Sequence, residues 1–155
     1  MLKNRSLKTC FNLAFLVIVL DQITKAMALM LLPAKKIAIS PHLNFALGFN
    51  KGAAFGILDA ASGWQRWFFI GLGISVSIVI LIWSMRLSKG DKWENVALAL
   101  ILGGAWGNLI DRIRLGHVVD FIDFYIGNWH WYTFNVADIA ICVGAFLLAI
   151  YGLRK

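Results

Sequence analysis

Four long apolar segments dominate the chain and predict its main elements. Each is long enough to cross a membrane as a helix, because about twenty residues at a rise of 1.5 Å each span a hydrocarbon core of roughly 30 Å. The segments cover approximately residues 11–32, 67–85, 94–112 and 136–153. The pattern therefore predicts an α-helical polytopic membrane protein with four transmembrane helices, and with long loops over 33–66 and 113–135.

Composition supports a single membrane-embedded unit. Of the 155 residues, 60% are hydrophobic and 15% are charged, and the mean hydropathy is +0.74. A typical globular domain is roughly 45–50% apolar and about 25% charged, so an ordinary soluble domain is excluded. With two prolines and no low-complexity tract, we expect no inter-domain linker, and one membrane-embedded domain over residues 1–155.

Membrane topology explains the distribution of the basic residues better than nucleic-acid binding does. The net charge is +7, but Lys and Arg are scattered singly and form no basic stripe, so we expect no nucleic-acid partner. Eight of them fall within the 21 positions of residues 1–9, 86–95 and 154–155, against six within the 57 positions of residues 33–66 and 112–134. Because cytoplasmic loops carry the excess of Lys and Arg, both termini are expected in the cytoplasm and the two long loops outside.

The first long loop has its own pattern. Residues 36–57 alternate loosely between apolar and polar positions and contain several glycines, which is typical of short strands with tight turns or bulges. Residues 60–66 come next. They contain Trp64, with Trp67 just beyond, and tryptophans at this spacing are typical of a short helix at the membrane interface. We therefore expect a small extracytoplasmic β-element and a short interfacial helix.

Several ionisable groups interrupt the apolar segments. A charged side chain at mid-membrane costs roughly 2.5–3.5 kcal/mol even on the most lenient scale, so such a residue is a candidate for function. The affected residues are Asp21, Lys25, Asp111 and Asp138, with Asp120 in the apolar stretch just outside. These residues are the first candidates for chemistry.

Each of these groups also has a structural interpretation. Asp21 and Lys25 are four apart on one helix, which suits an ion pair that lets the helix insert; one of them could also orient a polar substrate. Asn108, Asp111 and Arg112 share a stripe at the outer end of the third segment, where packing and a snorkelling arginine are the alternative. Asn135 and Asp138 resemble a helix-capping box.

Asp120 and Asp138 flank one short outer loop, so they can meet. Two carboxylates in a poorly solvated site share a proton, and then one activates water while the other polarises a carbonyl. The spacing alone does not show that they meet. A small proton-coupled transporter is the alternative, because intramembrane Asp and Lys also form proton relays; a non-catalytic membrane subunit is a third.

Five ordered sequence blocks resemble the lipoprotein signal peptidase (signal peptidase II) family of prokaryotic membrane aspartic endopeptidases. The blocks are DQITK (21–25), NKGAAFG (50–56), GGAWGNLIDR (103–112), VVDFIDF (118–124) and FNVAD (134–138). Together they extend from the first apolar segment to the start of the fourth, without a departure at a position that matters to the pattern.

This resemblance implies a site and a substrate. Asp120 and Asp138 match the catalytic dyad of the family. The matching positions for substrate binding and support are Asn50, Gly52, Asn108, Arg112, Asn135, Asp21, Lys25 and Asp111. The implied substrate is a diacylglyceryl-modified prolipoprotein, cut on the N-terminal side of its lipidated cysteine. The resemblance also implies binding of globomycin-type inhibitors, contact with membrane lipid, residence in the bacterial cytoplasmic (inner) membrane with the active site at the outer face, and neither metal nor cofactor. We expect the chain to act as a monomer.

Overall fold

Four helices and a small sheet make up the described part of the protein. The computed structural model describes residues 3–33, 35–52, 63–87 and 91–152. The helices are α1 (Lys3–Leu31), α2 (Trp64–Arg86), α3 (Lys92–Leu115) and α4 (Val136–Gly152). The strands are β1 (Lys36–Ser40), β2 (Leu43–Asn50), β3 (Val118–Ile126) and β4 (Trp129–His130).

Three of the described helices are long and apolar enough to cross a membrane. They are the part of α1 from Leu7 to Leu31, all of α2, and all of α3. Helix α4 is also strongly apolar, but its described part is 17 residues long and falls just short of that length. The membrane character of the fold is thus confirmed, and the fourth crossing stays a prediction.

Helix α3 lies at the centre of the bundle and contacts each of the other three helices. Three glycines on α3 allow α1 and α4 to approach it closely, as the small residues of this segment suggest. A Cβ at Gly103 would lie 2.7 Å from the carbonyl oxygen of Ala14 in α1, and a Cβ at Gly104 would collide with the carbonyl oxygen of Ala137 in α4. A Cβ at Gly107 would lie 2.5 Å from the Asp21 carboxylate, so α1 and α4 both pack directly on the α3 backbone.

The strands form one antiparallel sheet in the order β1-β2-β3-β4. Strand β2 pairs with β3 so that Gly48 lies opposite Asp120, after an irregularity that follows Phe45. The glycine at position 48 has a steric explanation, because a Cβ there would lie 2.8 Å from the hydroxyl oxygen of Thr133. The chain segment before α4 joins the same sheet, since the amides of Phe121 and Ile122 both donate to the Phe134 carbonyl oxygen.

Two sequence expectations about the loops need correction. The predicted β-element over 36–57 is present as β1 and β2, but residues 118–126 form a strand of the same sheet where we expected only loop. Trp64 to Arg66, assigned by the sequence to a separate interfacial helix, form the first turn of α2. Residues 53–62, which held the rest of that helix and of the NKGAAFG block, lie outside the described residues.

Candidate active site

A cavity of about 530 Å³ lies where α3 and α4 meet the sheet. Its polar lining comes from both long loops and both helices, and its apolar lining comes mainly from α4 and the segment before it. The lining residues are Asn50, Asn108, Arg112, Val118, Asp120, Trp131, Tyr132, Thr133, Phe134, Asp138, Ile139, Ile141, Cys142 and Val143.

Asp120 and Asp138 both line this cavity, although eighteen positions separate them in sequence. Asp120 lies in β3 and is 2% exposed, and Asp138 lies in the first turn of α4. The sequence left open whether these carboxyl groups meet at one site. The fold brings them to one cavity, because Phe134 is tied to β3 immediately before α4 begins.

Two asparagines link the carboxyl groups. The amide nitrogen of Asn135 donates to Asp120 at 2.7 Å, and the amide nitrogen of Asn108 donates to Asp138 at 2.8 Å. Asn135 also donates to the side-chain oxygen of Asn108 at 3.2 Å, which closes the network.

The capping interpretation of Asn135 is also correct. Its backbone N–H donates to the Asp138 carboxylate at 3.1 Å, and the Asp138 N–H donates to the Asn135 side-chain oxygen at 3.0 Å. This reciprocal pair is a capping box. Asn135 can therefore cap α4 and bind Asp120 at the same time, because its backbone N–H and side-chain oxygen form the cap while its side-chain nitrogen binds Asp120.

The environment of Asp120 favours its protonated form. Burial, followed by the nearby Asp138 charge, raises the pKa of Asp120 from 3.8 to about 7, against the opposing effect of hydrogen bonds from Asn135 and Asn50. At neutral pH, such a group can hold or release a proton readily.

A buried ionic cluster lies directly behind the cavity. The ammonium of Lys25 is 2.8 Å from a carboxylate oxygen of Asp21 and 2.8 Å from one of Asp111, and it donates to Asn108 at 2.9 Å. All four side chains are buried. The predicted Asp21–Lys25 pair is thus present, and Asp111 extends it to a triad.

The same cluster fixes the elements that carry the two cavity aspartates. Asp21 accepts a hydrogen bond from the backbone N–H of Ala137 at 2.9 Å, in the first turn of α4. Asp111 accepts one from the backbone N–H of Val119 at 3.1 Å, next to Asp120 in β3. A carboxylate at a helix N-terminus is favourable. Lys25 therefore compensates two charges that anchor α4 and β3.

Arg112 connects the cavity to the first long loop. Its Nη2 donates to the carbonyl oxygen of Gly52 at 2.8 Å, and its guanidinium lies 4.8 Å from the centre of the Phe69 ring. Its buried Nε has no acceptor among the described residues. Asn50 accepts a hydrogen bond from the Gly52 N–H at 2.9 Å, which folds this end of β2 toward the cavity.

All ten residues singled out from the sequence thus lie in or beside one site, and the structure adds one that we missed. Gln22 donates to Asp111 at 2.9 Å and to the Gly107 carbonyl oxygen at 3.2 Å. The sequence did contain a signal for Gln22, because an amide side chain in the middle of an apolar helix needs a buried hydrogen-bond partner just as a charged one does.

A second polar cluster, unassigned by the sequence, lies on the sheet. Asp123 is within 2.6 Å of a ring nitrogen of His130 and 2.9 Å of the Lys36 ammonium, and it accepts a hydrogen bond from Asn44 at 3.0 Å. Burial acts to raise the pKa of Asp123, but these hydrogen bonds outweigh it and lower the pKa to about 2. Asp123 does not line the cavity. Its partners come from β1, β2 and β4, so this cluster ties together the four strands of the sheet.

Comparison with known proteins identifies the family. Residues 13–154 match the family described as Signal peptidase (SPase) II. The lipoprotein signal peptidase of Hydrogenovibrio crunogenus is 52% identical over 139 residues, covering 89% of this chain and 81% of that protein. That of Polynucleobacter necessarius is 49% identical over 158 residues, covering 99% and 94%.

Solved structures agree with the fold and with a bacterial membrane enzyme. Two structures described as a bacterial membrane enzyme studied by the in meso method superpose with a TM-score of 0.83. One is 34% identical and covers 95% of this chain and 88% of its own; the other is 32% identical and covers 96% and 94%. The family match and the named relatives favour a peptidase over the transporter alternative. With a family match over most of its length and relatives about half identical, the chain belongs to the signal peptidase II family.

Proposed function

We propose that this protein is an aspartic endopeptidase that removes the signal peptide from diacylglyceryl-modified prolipoproteins, on the N-terminal side of the lipidated cysteine. Asp120 and Asp138 are its catalytic pair. The observation that carries this proposal is that both carboxyl groups line one cavity while the pKa of Asp120 is raised to about 7. The relatives, which are lipoprotein signal peptidases, support the substrate class.

The two carboxyl groups divide the work of peptide hydrolysis. In the reactive form, Asp120 is protonated and donates a hydrogen bond to the scissile carbonyl oxygen; its pKa of about 7 keeps this form populated at neutral pH. As the water oxygen attacks the carbonyl carbon, ionised Asp138 takes a proton from the water and Asp120 passes its proton to the carbonyl oxygen, which gives a tetrahedral diol. Asp138 then passes its proton to the leaving amide nitrogen while one diol hydroxyl returns a proton to Asp120. The C–N bond breaks, and the new carboxyl group and amine separate.

The surrounding polar residues hold this pair and the substrate backbone. Asn108 and Asn135 each donate to one aspartate, so the carboxyl groups keep their orientation while protons move. Arg112 supplies its free Nε–H to a substrate carbonyl oxygen, because an arginine presents five donors in a fixed fork. Asn50 and Gly52 form the loop side of the peptide-binding cleft.

The apolar wall of the cavity suits the lipid part of this substrate. Ile139 and Val143 line the cavity and are 43% and 45% exposed on the surface of α4. A diacylglyceryl group can therefore remain in the membrane while the adjacent peptide bond reaches the aspartates. Cyclic peptide inhibitors of the globomycin type would compete for the same cavity.

Membrane placement follows from the same proposal. The chain resides in the bacterial inner membrane with four crossings, both termini in the cytoplasm, and the cavity at the outer face. One chain contains every residue of the site, so a monomer suffices for activity.

Cleavage of a purified substrate tests the proposal. The experiment uses the protein in lipid nanodiscs and a diacylglyceryl-modified prolipoprotein, with the gel mobility of the product as readout. We expect Asp120→Asn and Asp138→Asn each to lower the cleavage rate by about 10²- to 10⁴-fold, because an amide keeps the volume but cannot exchange the proton. Robust cleavage by either variant would contradict the dyad.

The matched control is Asp123→Asn. Asp123 is a buried aspartate of the same strand as Asp120, but it lies outside the cavity. We expect this variant to cleave at a rate close to wild type. An unlipidated substrate and a chelator complete the design: only the lipidated substrate should be cut, and the chelator should have no effect. Proton-linked flux without cleavage would favour the transporter.

A further inference from the structure

The last turn of α3 is held by an arginine from α2. Arg66 donates from Nε to the carbonyl oxygen of Arg112 at 2.9 Å, and from Nη2 to the carbonyl oxygen of Ile113 at 2.8 Å. The final carbonyls of a helix have no partner within the helix, so they need donors from elsewhere. A guanidinium suits two adjacent carbonyls because its donors form a planar fork, and its positive charge is favourable at a helix C-terminus.

Gly116 completes this end of α3. It has a φ of 80°, in the left-handed region that favours glycine, and its N–H donates to the same Arg112 carbonyl oxygen at 3.2 Å. The Arg112 carbonyl thus accepts one hydrogen bond from its own chain end and one from α2. Without Arg66, the Arg112 carbonyl oxygen would keep the Gly116 N–H as its donor from beyond the helix.

Helix α2 also contacts the Arg112 side chain. Phe69 lies one turn after Arg66, on the same face of α2, and its ring centre is 4.8 Å from the guanidinium carbon of Arg112. The backbone and the side chain of Arg112 are therefore held by neighbouring residues of one helical turn.

We propose that Arg66 is a positioning residue for Arg112. It fixes the last turn of α3 so that the Arg112 guanidinium stays between Phe69, the Gly52 carbonyl oxygen and the cavity. Arg66 itself does not line the cavity, so any effect on substrate passes through Arg112. This inference rests on the proposed function, in which Arg112 binds the substrate backbone.

A double-mutant cycle tests it by activity. We expect Arg66→Gln to raise KM and to lower kcat/KM by roughly 10-fold while kcat changes little, because a shifted binding group misplaces the substrate. Arg66→Lys, which keeps the charge but loses the fork, should recover part of that loss. Arg114→Gln is the matched control, since Arg114 is an exposed arginine of the same turn.

In an Arg112→Lys background, Arg66→Gln should change kcat/KM by less than about twofold. An equal loss in both backgrounds would overturn the proposal.

Hydrogen exchange tests it without an activity assay. In nanodiscs, Arg66→Gln should speed exchange of the Gly116 amide and its neighbours by roughly tenfold or more, while Arg114→Gln leaves it unchanged. Unchanged protection in Arg66→Gln would refute the positioning role. If the wild type failed to cleave lipidated substrate, the proposed function would fall, and the exchange result would still decide whether Arg66 holds this turn.

Discussion

The Asp120 carboxyl group illustrates how surroundings set the chemistry of one residue. It is buried, faces the charge of Asp138, and accepts a hydrogen bond from Asn135 at 2.7 Å. Desolvation and the neighbouring charge both favour the protonated form, and the hydrogen bond opposes them. Asp123, three residues further on, has the opposite outcome because His130 and Lys36 stabilise its charge.

The raised pKa of Asp120 predicts a pH dependence of stability. Its folded-state pKa of about 7 exceeds its ordinary value of 3.8, so its contribution to stability is fully present below about pH 4 and is lost as pH rises through 7. Ionised Asp120 should therefore cost up to about 4 kcal/mol at alkaline pH. We expect Asp120→Asn to exceed wild type in thermal stability at pH 8.5, and to lose this advantage by pH 4.

Thermal unfolding in nanodiscs at several pH values measures this difference. The Asp123→Asn control should show no such gain at pH 8.5, because the pKa of Asp123 is lowered rather than raised. A difference between Asp120→Asn and wild type that does not vary with pH would contradict the assignment. In the proposed mechanism, the same ionisation should also lower kcat/KM above pH 7, since it removes the proton that Asp120 would donate.

At the scale of elements, the distance between α3 and α4 depends on glycine. A Cβ at Gly104 would collide with the Ala137 carbonyl oxygen, and a Cβ at Gly144 of α4 would lie 2.7 Å from the Ala97 carbonyl oxygen of α3. Each helix thus presents a glycine to the backbone of the other. Since Asn108 and Asp138 lie on these two helices, the close approach also determines the distance across the site.

Gly104→Ala should separate the two helices. The added methyl group meets backbone rather than a flexible side chain, so we expect a loss of roughly 1–3 kcal/mol or more in stability, and lower activity. Gly71→Ala in α2 is the matched control, because nothing lies within 4 Å of a Cβ there. This control should be neutral or slightly stabilising. The measurements are the thermal unfolding temperature and the cleavage rate of both variants. Equal values for Gly104→Ala and Gly71→Ala would show that α3 and α4 can move apart without cost.

At the scale of the whole molecule, the site lies at one end of the helix bundle, between the ends of α3 and α4 and the sheet. Aromatic residues are exposed at this end, among them Trp64, Trp67, Trp129, Trp131 and Tyr132. Such residues favour the membrane–water interface. This arrangement suits a reaction at a peptide bond beside a lipid-modified residue.

The fourth crossing is testable by reporter fusions. If α4 spans the membrane, a fluorescent protein that folds only in the cytoplasm should be bright when fused after residue 155, and dark when fused after Gly116. Alkaline phosphatase, which is active only outside the cytoplasm, should give the reverse pattern. Equal signals from both positions would show that α4 lies on the membrane and does not cross it.

The sequence by itself determined the membrane character, the four apolar helices and the charged residues that lie at the site, whereas Asn50 and Gly52 were implied only by the family resemblance. These follow from local pattern, because length and hydropathy fix a helix in lipid and because a charge there needs a partner. The Asp21–Lys25 pair and the Asn135–Asp138 cap were predictable for the same reason, since each joins residues only three or four apart.

Only the tertiary structure decided which distant residues meet. Strand β3 was not predicted, because the sheet pairing that stabilises it comes from β2, about seventy residues earlier. The bonds from Asp21 to the start of α4 and from Arg66 to the end of α3 likewise join separate elements. Periodicity reports which face of an element is apolar, but long-range packing chooses the partner of each polar group. That choice brings Asp120 and Asp138 to one cavity.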